Sequence, residues 1–420
     1  MNRAEQLAQM TAKHRERIYE TADYIWTHPE TGYREWNTSA YLEKQFRELG
    51  YEPVLAENIP GFYADLDTGK PGPKVAILGE LDSLIVRNHP DANPETAAVH
   101  ACGHNAQCAT LIGVAAAMKE PGALEGMCGS IRFIAVPAEE LIELGYREEL
   151  RKKGIIRYFG GKVEFIYRGY LDGVDMAMMI HSGSLKEGKA LNINAGCNGC
   201  VTKNILFKGV SAHAGGAPEK GVNALYAATC GLNAVNAIRE TFVDDEHIRF
   251  HPIITEAGLA VNAIPEAAKV ESYVRGASYD SIYRYNKKVN LALAGAAASI
   301  GCRLELNDRP GYFPLNNDPN MSDVVAAAME AVAGPDSVER TDVWGTGCTD
   351  MGCVRPAQCL AVAADMLLSG GGELAKKVIA EAKPCFKSKE EYLAAIDRLE
   401  MSQEAVIYNE DGTVTLDYSR

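Results

Sequence analysis

The feature that most constrains this chain is an alternation. Short apolar runs bounded by turn residues take turns with longer stretches of helical spacing. The runs Lys74–Leu81, Ser130–Val136 and Asp175–Ile180 are apolar at nearly every position, as strands buried on both faces are. Between the first two lies a helical pattern over Ala106–Met118. Ahead of them, residues 3–26 set Leu7, Met10, Ile18, Ala22 and Ile25 at helical spacing, which predicts one helix. Another is predicted over 38–49, capped by Asn37 or Thr38 and stopped by Gly50. Strand and helix in alternation specify an α/β fold: a mostly parallel sheet with helices on both faces.

The texture changes near residue 190. A strand at 201–208, a helix at 219–239, one or two strands across 252–275 and an Ala-rich helix at 280–300 make a two-layer α/β unit of their own. After Arg309-Pro310-Gly311, a helix at 321–334, a loop at 342–353 and a strand at 357–363 resume the first pattern. The expected organisation is therefore a domain of residues 1–190 and 312–420 carrying an inserted lid at 191–311. A chain of 420 residues has room for both.

Composition removes several classes of function. With 42 Lys+Arg against 56 Asp+Glu the net charge is −14, the wrong sign for a nucleic-acid or anionic-membrane footprint. No apolar run approaches the ~18 residues that span a bilayer. The opening Met1-Asn2-Arg3-Ala4-Glu5-Gln6 is polar and lacks a signal peptide's apolar core. Eleven cysteines are an odd number spread over a long chain, which suits a reducing compartment better than a disulfide framework. A cytoplasmic protein with mostly packed free thiols is expected, the pair Cys197 and Cys200 included.

Four clusters carry candidate chemistry. In His100-Ala101-Cys102-Gly103-His104-Asn105, Cys102 and His104 either share one metal ion across a flexible Gly or are a buried thiol and a hydrogen-bonded ring. Val136-Pro137-Ala138-Glu139-Glu140 puts two carboxylates at a strand's C-terminal end, where α/β proteins place ligands. One of them can bind a metal while the other takes a proton from water, unless both belong to a solvated acidic turn. His181 follows an apolar strand, as a ligand or as a hydrogen bonder at the core's edge. Ser211-Ala212-His213-Ala214-Gly215-Gly216 lies in the inserted unit, with Asn223 and Asn262 to follow; a Gly-rich surface loop is the plainer reading.

Together these segments resemble the aminoacylase and carboxypeptidase metallopeptidases, peptidase family M20, in its amidohydrolase branch. The marks run nearly end to end: HPETGYRE at 28–35, GELDSL at 79–84, HACGHN at 100–105, PAEE at 137–140, MMIHSG at 178–183, GVSAHAGGAPEKGVNAL at 209–225, VNAIPEA at 261–267 and GTGCTDMG at 345–352. HACGHN and TDMG look most like the aminobenzoyl-glutamate hydrolase subgroup. The resemblance implies metal ligands at Cys102, His104, Glu140 and His181, a general base at Glu139, and a lid histidine at His213 that steadies a substrate carbonyl in a neighbouring subunit's site. It places Asn262 near the substrate. It further implies a divalent metal, Zn²⁺ or Mn²⁺, a small N-acyl amino acid or aromatic amide as substrate, and at least a homodimer joined through the lid.

Two departures stand out. The family has a last metal-binding His near its C-terminus, but the nine His here are 14, 28, 89, 100, 104, 181, 213, 247 and 251. About one metal per chain is therefore expected, with Cys348 or Asp350 as the substitute ligand if a second ion binds. The segment Leu141–Tyr170 is also longer than the family's Gly-rich loop, and is charged and aromatic. It reads as a solvated helix and hairpin, or as a loop that contacts an aromatic or acidic substrate beside Glu140. Activity on an aromatic ring amine, or a metal-poor binding protein on the same scaffold, are the competing functions.

Overall fold

The apolar runs become strands because nearly every side chain along them finds apolar neighbours: Val75, Ile77, Ile131 and Phe133 are fully buried. The computed structural model describes all residues except 184, 343, 346–353 and 419–420. By contacts the chain divides into two units. The first holds Met1–Ile142, Leu150–Gly196 and Asn316–Cys385; the second holds Glu143–Glu149, Cys197–Leu315 and Phe386–Arg420.

The first unit opens with α1 (Arg3–Lys13), α2 (Arg15–Thr27) and α3 (Trp36–Glu48). The single helix predicted over 3–26 breaks at His14, whose φ of −94° and ψ of 16° leave the helical region. At the break Lys13 and His14 both reach Glu120, so a tertiary ion pair overrides local periodicity. Nor is α3 capped by Asn37 or Thr38. The Glu30 carboxylate accepts from both their backbone N–H groups, at 3.1 and 2.9 Å.

The sheet follows as β1 (Val54–Leu55), β2 (Phe62–Asp67), β3 (Lys74–Glu80), β4 (Ser130–Val136) and β5 (Met176–Met178), in the order β1-β2-β4-β3-β5. β3 runs parallel to β4 and β5, with Ile77 opposite Phe133 and Met178. β1 and β2 add an antiparallel edge, so the sheet is mixed around a parallel centre. Helix α4 (His104–Ala117) sits between β3 and β4 in sequence and is buried on nearly all sides, which is why its composition is apolar all round. A short helix at Leu144–Lys152 and α5 (Gly161–Tyr167) come between β4 and β5.

The second unit contains β6 (Gly199–Lys208), α6 (Ala224–Ile238), β7 (Arg249–Phe250), β8 (Ile253–Glu256), β9 (Ala267–Gly276), α7 (Tyr279–Ile300) and β10 (Arg303–Tyr312). Its sheet is antiparallel, with β6 between β9 and β10. Alternate residues Ile205, Phe207, Val270, Val274, Leu304 and Leu306 form one core with Ala228, Val289 and Leu293 of the two helices. β10 runs straight through Arg309-Pro310-Gly311, which the sequence marks as a boundary. Pro310 is tolerated because it sits where the register shifts against Cys200 and Val201.

The chain then re-enters the first unit with α8 (Pro319–Ala333) and α9 (Val354–Leu368). The strand predicted at 357–363 is part of α9. Its four alanines favour a helix, and a helix packed on α1, α4 and α8 has no polar face to betray its period. Finally β11 (Met401–Glu404) pairs with β10, which draws residues 386–420 into the second unit rather than the first. A strand of four residues is too short to register as a sequence signal.

The second unit also buries charge. Lys203 faces the apolar interior in register with Asp308 on the adjoining strand. Its three protons go to Asn286 Oδ1 (2.9 Å), Asn290 Oδ1 (2.5 Å) and Asp308 Oδ1 (2.6 Å). Both asparagines return a donor to Asp308 Oδ2. Every member is satisfied, which is the condition for tolerating buried charge. Lys203→Met leaves Asp308 uncompensated and is expected to cost about 3–5 kcal/mol of stability. Equilibrium denaturation of Lys203→Met and of the double variant Lys203→Met/Asp308→Leu checks this, the double being the more stable of the two.

Candidate active site

Four segments of the first unit meet at the carboxyl ends of its parallel strands, where open α/β sheets bind ligands. Glu80 ends β3 and Asp82 follows it; Glu139 and Glu140 follow β4; His181 lies three residues beyond β5; Cys102 and His104 stand at the start of α4. Gly103 makes the junction between the last two with φ +78°, a conformation that side-chain-bearing residues adopt rarely.

Ligand atoms of Cys102, His104 and His181 lie within 4.8 Å of one another, with Cys102 Sγ 3.7 Å from His181 Nε2. Hydrogen bonds fix both rings. His104 Nδ1 is 2.8 Å from the Asp82 carbonyl oxygen and 3.2 Å from Asp82 Oδ1. His181 Nδ1 is 2.9 Å from the Ser182 carbonyl oxygen. A carbonyl only accepts, so each Nδ1 carries a proton and Nε2 is the nitrogen left for a metal ion. His104 Nε2 is buried and lies 3.0 Å from Glu80 Oε2, an ion-pair distance when the ring is protonated. The Cys102 thiol donates to the Glu140 carboxylate. A thiol, two oriented imidazoles and an adjoining carboxylate fit a four-coordinate divalent ion in ligand type and tautomer.

A second group of potential ligands, Glu80, His104 and Glu139, overlaps the first at His104. Glu80 is buried and its Oε1 is bonded to Lys162 Nζ. Desolvation, then the charge of Glu80, raises Glu139 to about 8, with Lys162 opposing. Desolvation and then Asp82 raise Glu140 as well. Burial disfavours charge on His104, yet Glu80 and Asp82 outweigh it and hold the ring well above its ordinary pKa. A metal ion at His104 competes with that proton. His100, buried and among the described residues without a ring hydrogen bond, is lowered to about 3 by burial first and by His104 second.

The turn carrying the two glutamates is strained and clamped. Ala138 has φ +55°. Its N–H donates to Glu35 Oε1 at 2.7 Å, and its carbonyl accepts from Gly161 N at 3.1 Å. Strain at a loop of this kind persists only when its surroundings over-determine it. Glu35 thus gives the HPETGYRE segment a role the sequence did not suggest. The 141–170 segment is no solvated helix and hairpin: Tyr158, Phe159, Glu164 and Phe165 are buried. Its contribution to the site is Lys162.

His213 and Asn262 lie in the second unit. Both are exposed, and Asn262 O accepts from Ala214 N at 2.9 Å. His213 Nδ1 accepts from the backbone N–H of Gly215 (3.1 Å) and Gly216 (2.9 Å). Its proton therefore sits on Nε2, pointed outward as a donor. Cys348 and Asp350 lie outside the described residues. The residues that motif reading missed are Glu80, Asp82, Glu35 and Lys162; carboxylates flanking the end of a buried strand were the available signal for the first two.

A family model for peptidase family M20/M25/M40 matches residues 76–400, and the chain belongs to that family. It is 28% identical over 304 residues to one of the subunits of p-aminobenzoyl-glutamate hydrolase from Escherichia coli (strain K12), covering 69% of this chain and 58% of that one. It is 31% identical over 292 residues to indole-3-acetyl-aspartic acid hydrolase of Enterobacter agglomerans, covering 64% and 60%. The chain thus spans about three-fifths of these relatives' length. An aminobenzoyl-glutamate utilization protein from Klebsiella pneumoniae shares the fold with a TM-score of 0.64 at 21% identity, over 86% of this chain and 98% of that one. A Bacillus subtilis protein described as a dinuclear metal binding peptidase of the M20 family does so at 0.56 and 19% identity, over 84% and 98%.

Asp82 holds His104 by Oδ1 and the backbone N–H of Glu140 by Oδ2, at 2.9 Å for the latter. Asp82→Ala is expected to weaken divalent-metal affinity by about 10–100-fold, the usual effect of removing a ligand's outer partner. Competitive titration against a chromogenic chelator measures it.

Proposed function

We propose that this protein is a metal-dependent amidohydrolase that cleaves the amide bond of a small N-acyl amino acid or aromatic amide. The observation that carries the reading is the paired orientation of His104 and His181, both presenting Nε2 beside the Cys102 thiol and next to the glutamates of the PAEE turn. Cys102, His104, Glu140 and His181 are the proposed ligands of one Zn²⁺ or Mn²⁺ ion. His104 supports that count, because its Nδ1 is committed to Asp82 and its single remaining nitrogen cannot serve both ligand groups. A divalent ion there would supply Lewis acidity to a water and to the scissile carbonyl.

The remaining steps fall to the chain's own residues. Glu139 takes a proton from the attacking water and returns it to the leaving nitrogen, as a half-buried carboxylate beside the proposed metal position can. His213 Nε2–H donates to the carbonyl oxygen as negative charge develops on it. Asn262, tied to the same loop, contacts the substrate. A shallow cleft lined by Gln107, Thr110, Ile180, His181, Leu191 and Met329 opens beside a proposed ligand, and the organic part of the substrate is proposed to lie against it.

The test is product release from acyl-amino acids and anthranilates by metal-loaded protein. Amine release supports the proposal, ammonia release from a ring replaces it with an aromatic aminohydrolase, and neither product from a fully loaded protein leaves a binding protein. Glu139→Gln is expected to keep the metal while turnover falls by about 10²–10⁴-fold. Metal loss with Glu139→Gln but not with Glu140→Gln would reverse the two roles.

The second unit is proposed to be a lid that joins two copies and presents His213 to the partner's site. All four side chains of the edge strand β8 are exposed, and Leu259 and Val261 are almost wholly so at 97% and 103%. An open strand edge beside exposed aliphatic side chains is a surface that a soluble protein covers. Sedimentation should give at least a dimer, and Ile254→Lys should shift it toward monomer. A monodisperse wild-type monomer would refute the assembly.

A further inference from the structure

We propose that Lys162 holds the place of a second metal ion, so that the site is one divalent cation beside one ammonium group. This inference rests on the metal-dependent reading above and goes past it by assigning the second cationic position to a side chain.

The argument starts from charge. Glu80, Asp82, Glu139 and Glu140 converge on the site, and Glu80 and Asp82 are fully buried. Buried carboxylates at such density stay ionised only beside cations. The ligand group Cys102, His104 and His181 accommodates one ion and uses the free nitrogen of His104. The second group, Glu80, His104 and Glu139, is then left with two carboxylates and no nitrogen. Lys162 Nζ is bonded to Glu80 Oε1 and interacts with Glu139 as well. It therefore pairs with one of the two carboxylates a second ion would need, and the other, Glu139, offers a ligand atom within 4.8 Å of Glu80's.

The backbone fixes that position. Lys162 is the second residue of α5, and the preceding Gly161 donates to Ala138 O. A Cβ on Gly161 would fall on the Pro137 carbonyl oxygen, so only glycine lets α5 approach the PAEE turn this closely. Lysine is long enough to reach Glu80 from there, and its side chain is only one-third exposed. An ammonium group does not acidify a neighbouring water as a divalent ion does. Lys162 is thus a positioning residue: it neutralises Glu80, steadies Glu139 and excludes a competing ion.

The test is metal stoichiometry by plasma mass spectrometry and calorimetric titration with Mn²⁺ and with Zn²⁺, on full-length wild type, Lys162→Met and Lys162→Arg. Wild type and Lys162→Arg should each saturate at one ion per chain, and Lys162→Met should take up a second. Two tight ions in wild type, or no second uptake by folded Lys162→Met at saturating metal, overturns the proposal. Should Lys162→Met fail to fold, Glu80→Gln decides. It should keep the single ion with a loss of no more than about 100-fold, the range for removing a ligand's outer partner; a larger loss places Glu80 among the ligands and refutes the assignment. A wild type that binds no ion at all removes the metal-dependent reading itself, a result distinct from every stoichiometry above.

Discussion

Asp82 is the residue on which the geometry of the site depends. It sits just past the end of β3, and its atoms reach two other chain segments. Its backbone carbonyl and Oδ1 hold His104 at the start of α4, while Oδ2 holds the backbone N–H of Glu140 beyond β4. Three segments far apart in sequence are thereby set against each other within hydrogen-bond tolerance. The sheet supplies the coarse placement, since β3 and β4 are parallel neighbours with Glu80 opposite Val136. Hydrogen bonds then reduce the remaining freedom of two loops and a helix start to one arrangement.

Such precision needs support from behind. The PAEE turn is held by Glu35 at the start of α3 and by Gly161 at the start of α5, and α3 is itself held by Glu30. Glu30 accepts from two helix N–H groups, and its carbonyl oxygen accepts from Ser83 N, next to Asp82. The segment 28–35 is therefore a brace running from the GELDSL loop to the PAEE turn. Its acidic residues are spent on backbone N–H groups, where a carboxylate gains a charge-assisted bond and a helix start gains a partner for its free donors.

Much of this was legible in the sequence, and the misses have physical causes. The strands at 74–80 and 130–136 were plain because a strand buried on both faces is apolar throughout. The segment 354–368 failed by the same rule: a helix buried on all sides has an apolar run too, and only its alanines argued against a strand. His104 and His181 could be named from their motifs, but not their tautomers, which depend on which carbonyl each ring meets. Lys162 was hidden inside a charged segment that looked solvated. Nothing local distinguishes it from Lys152 or Lys153; what does is a glycine that brings α5 against the PAEE turn.

The two buried lysine networks show how one residue type serves opposite ends. Lys203 gives its three protons to a ring of acceptors that is closed and balanced, with Asp308 satisfied in return. Nothing is left over, and the network can only lock two strands and α7 into register. Lys162 sits among carboxylates that outnumber it, and the neighbouring ring, His104, sets its buried Nε2 3.0 Å from Glu80 Oε2. Glu80 and Glu139 offer ligand atoms beside that nitrogen, and a cation bound at His104 would displace the ring's proton. The second unit's network closes on itself and can only hold structure; the first unit's two overlapping groups of potential ligands share one nitrogen, the geometry of a site and not of a core.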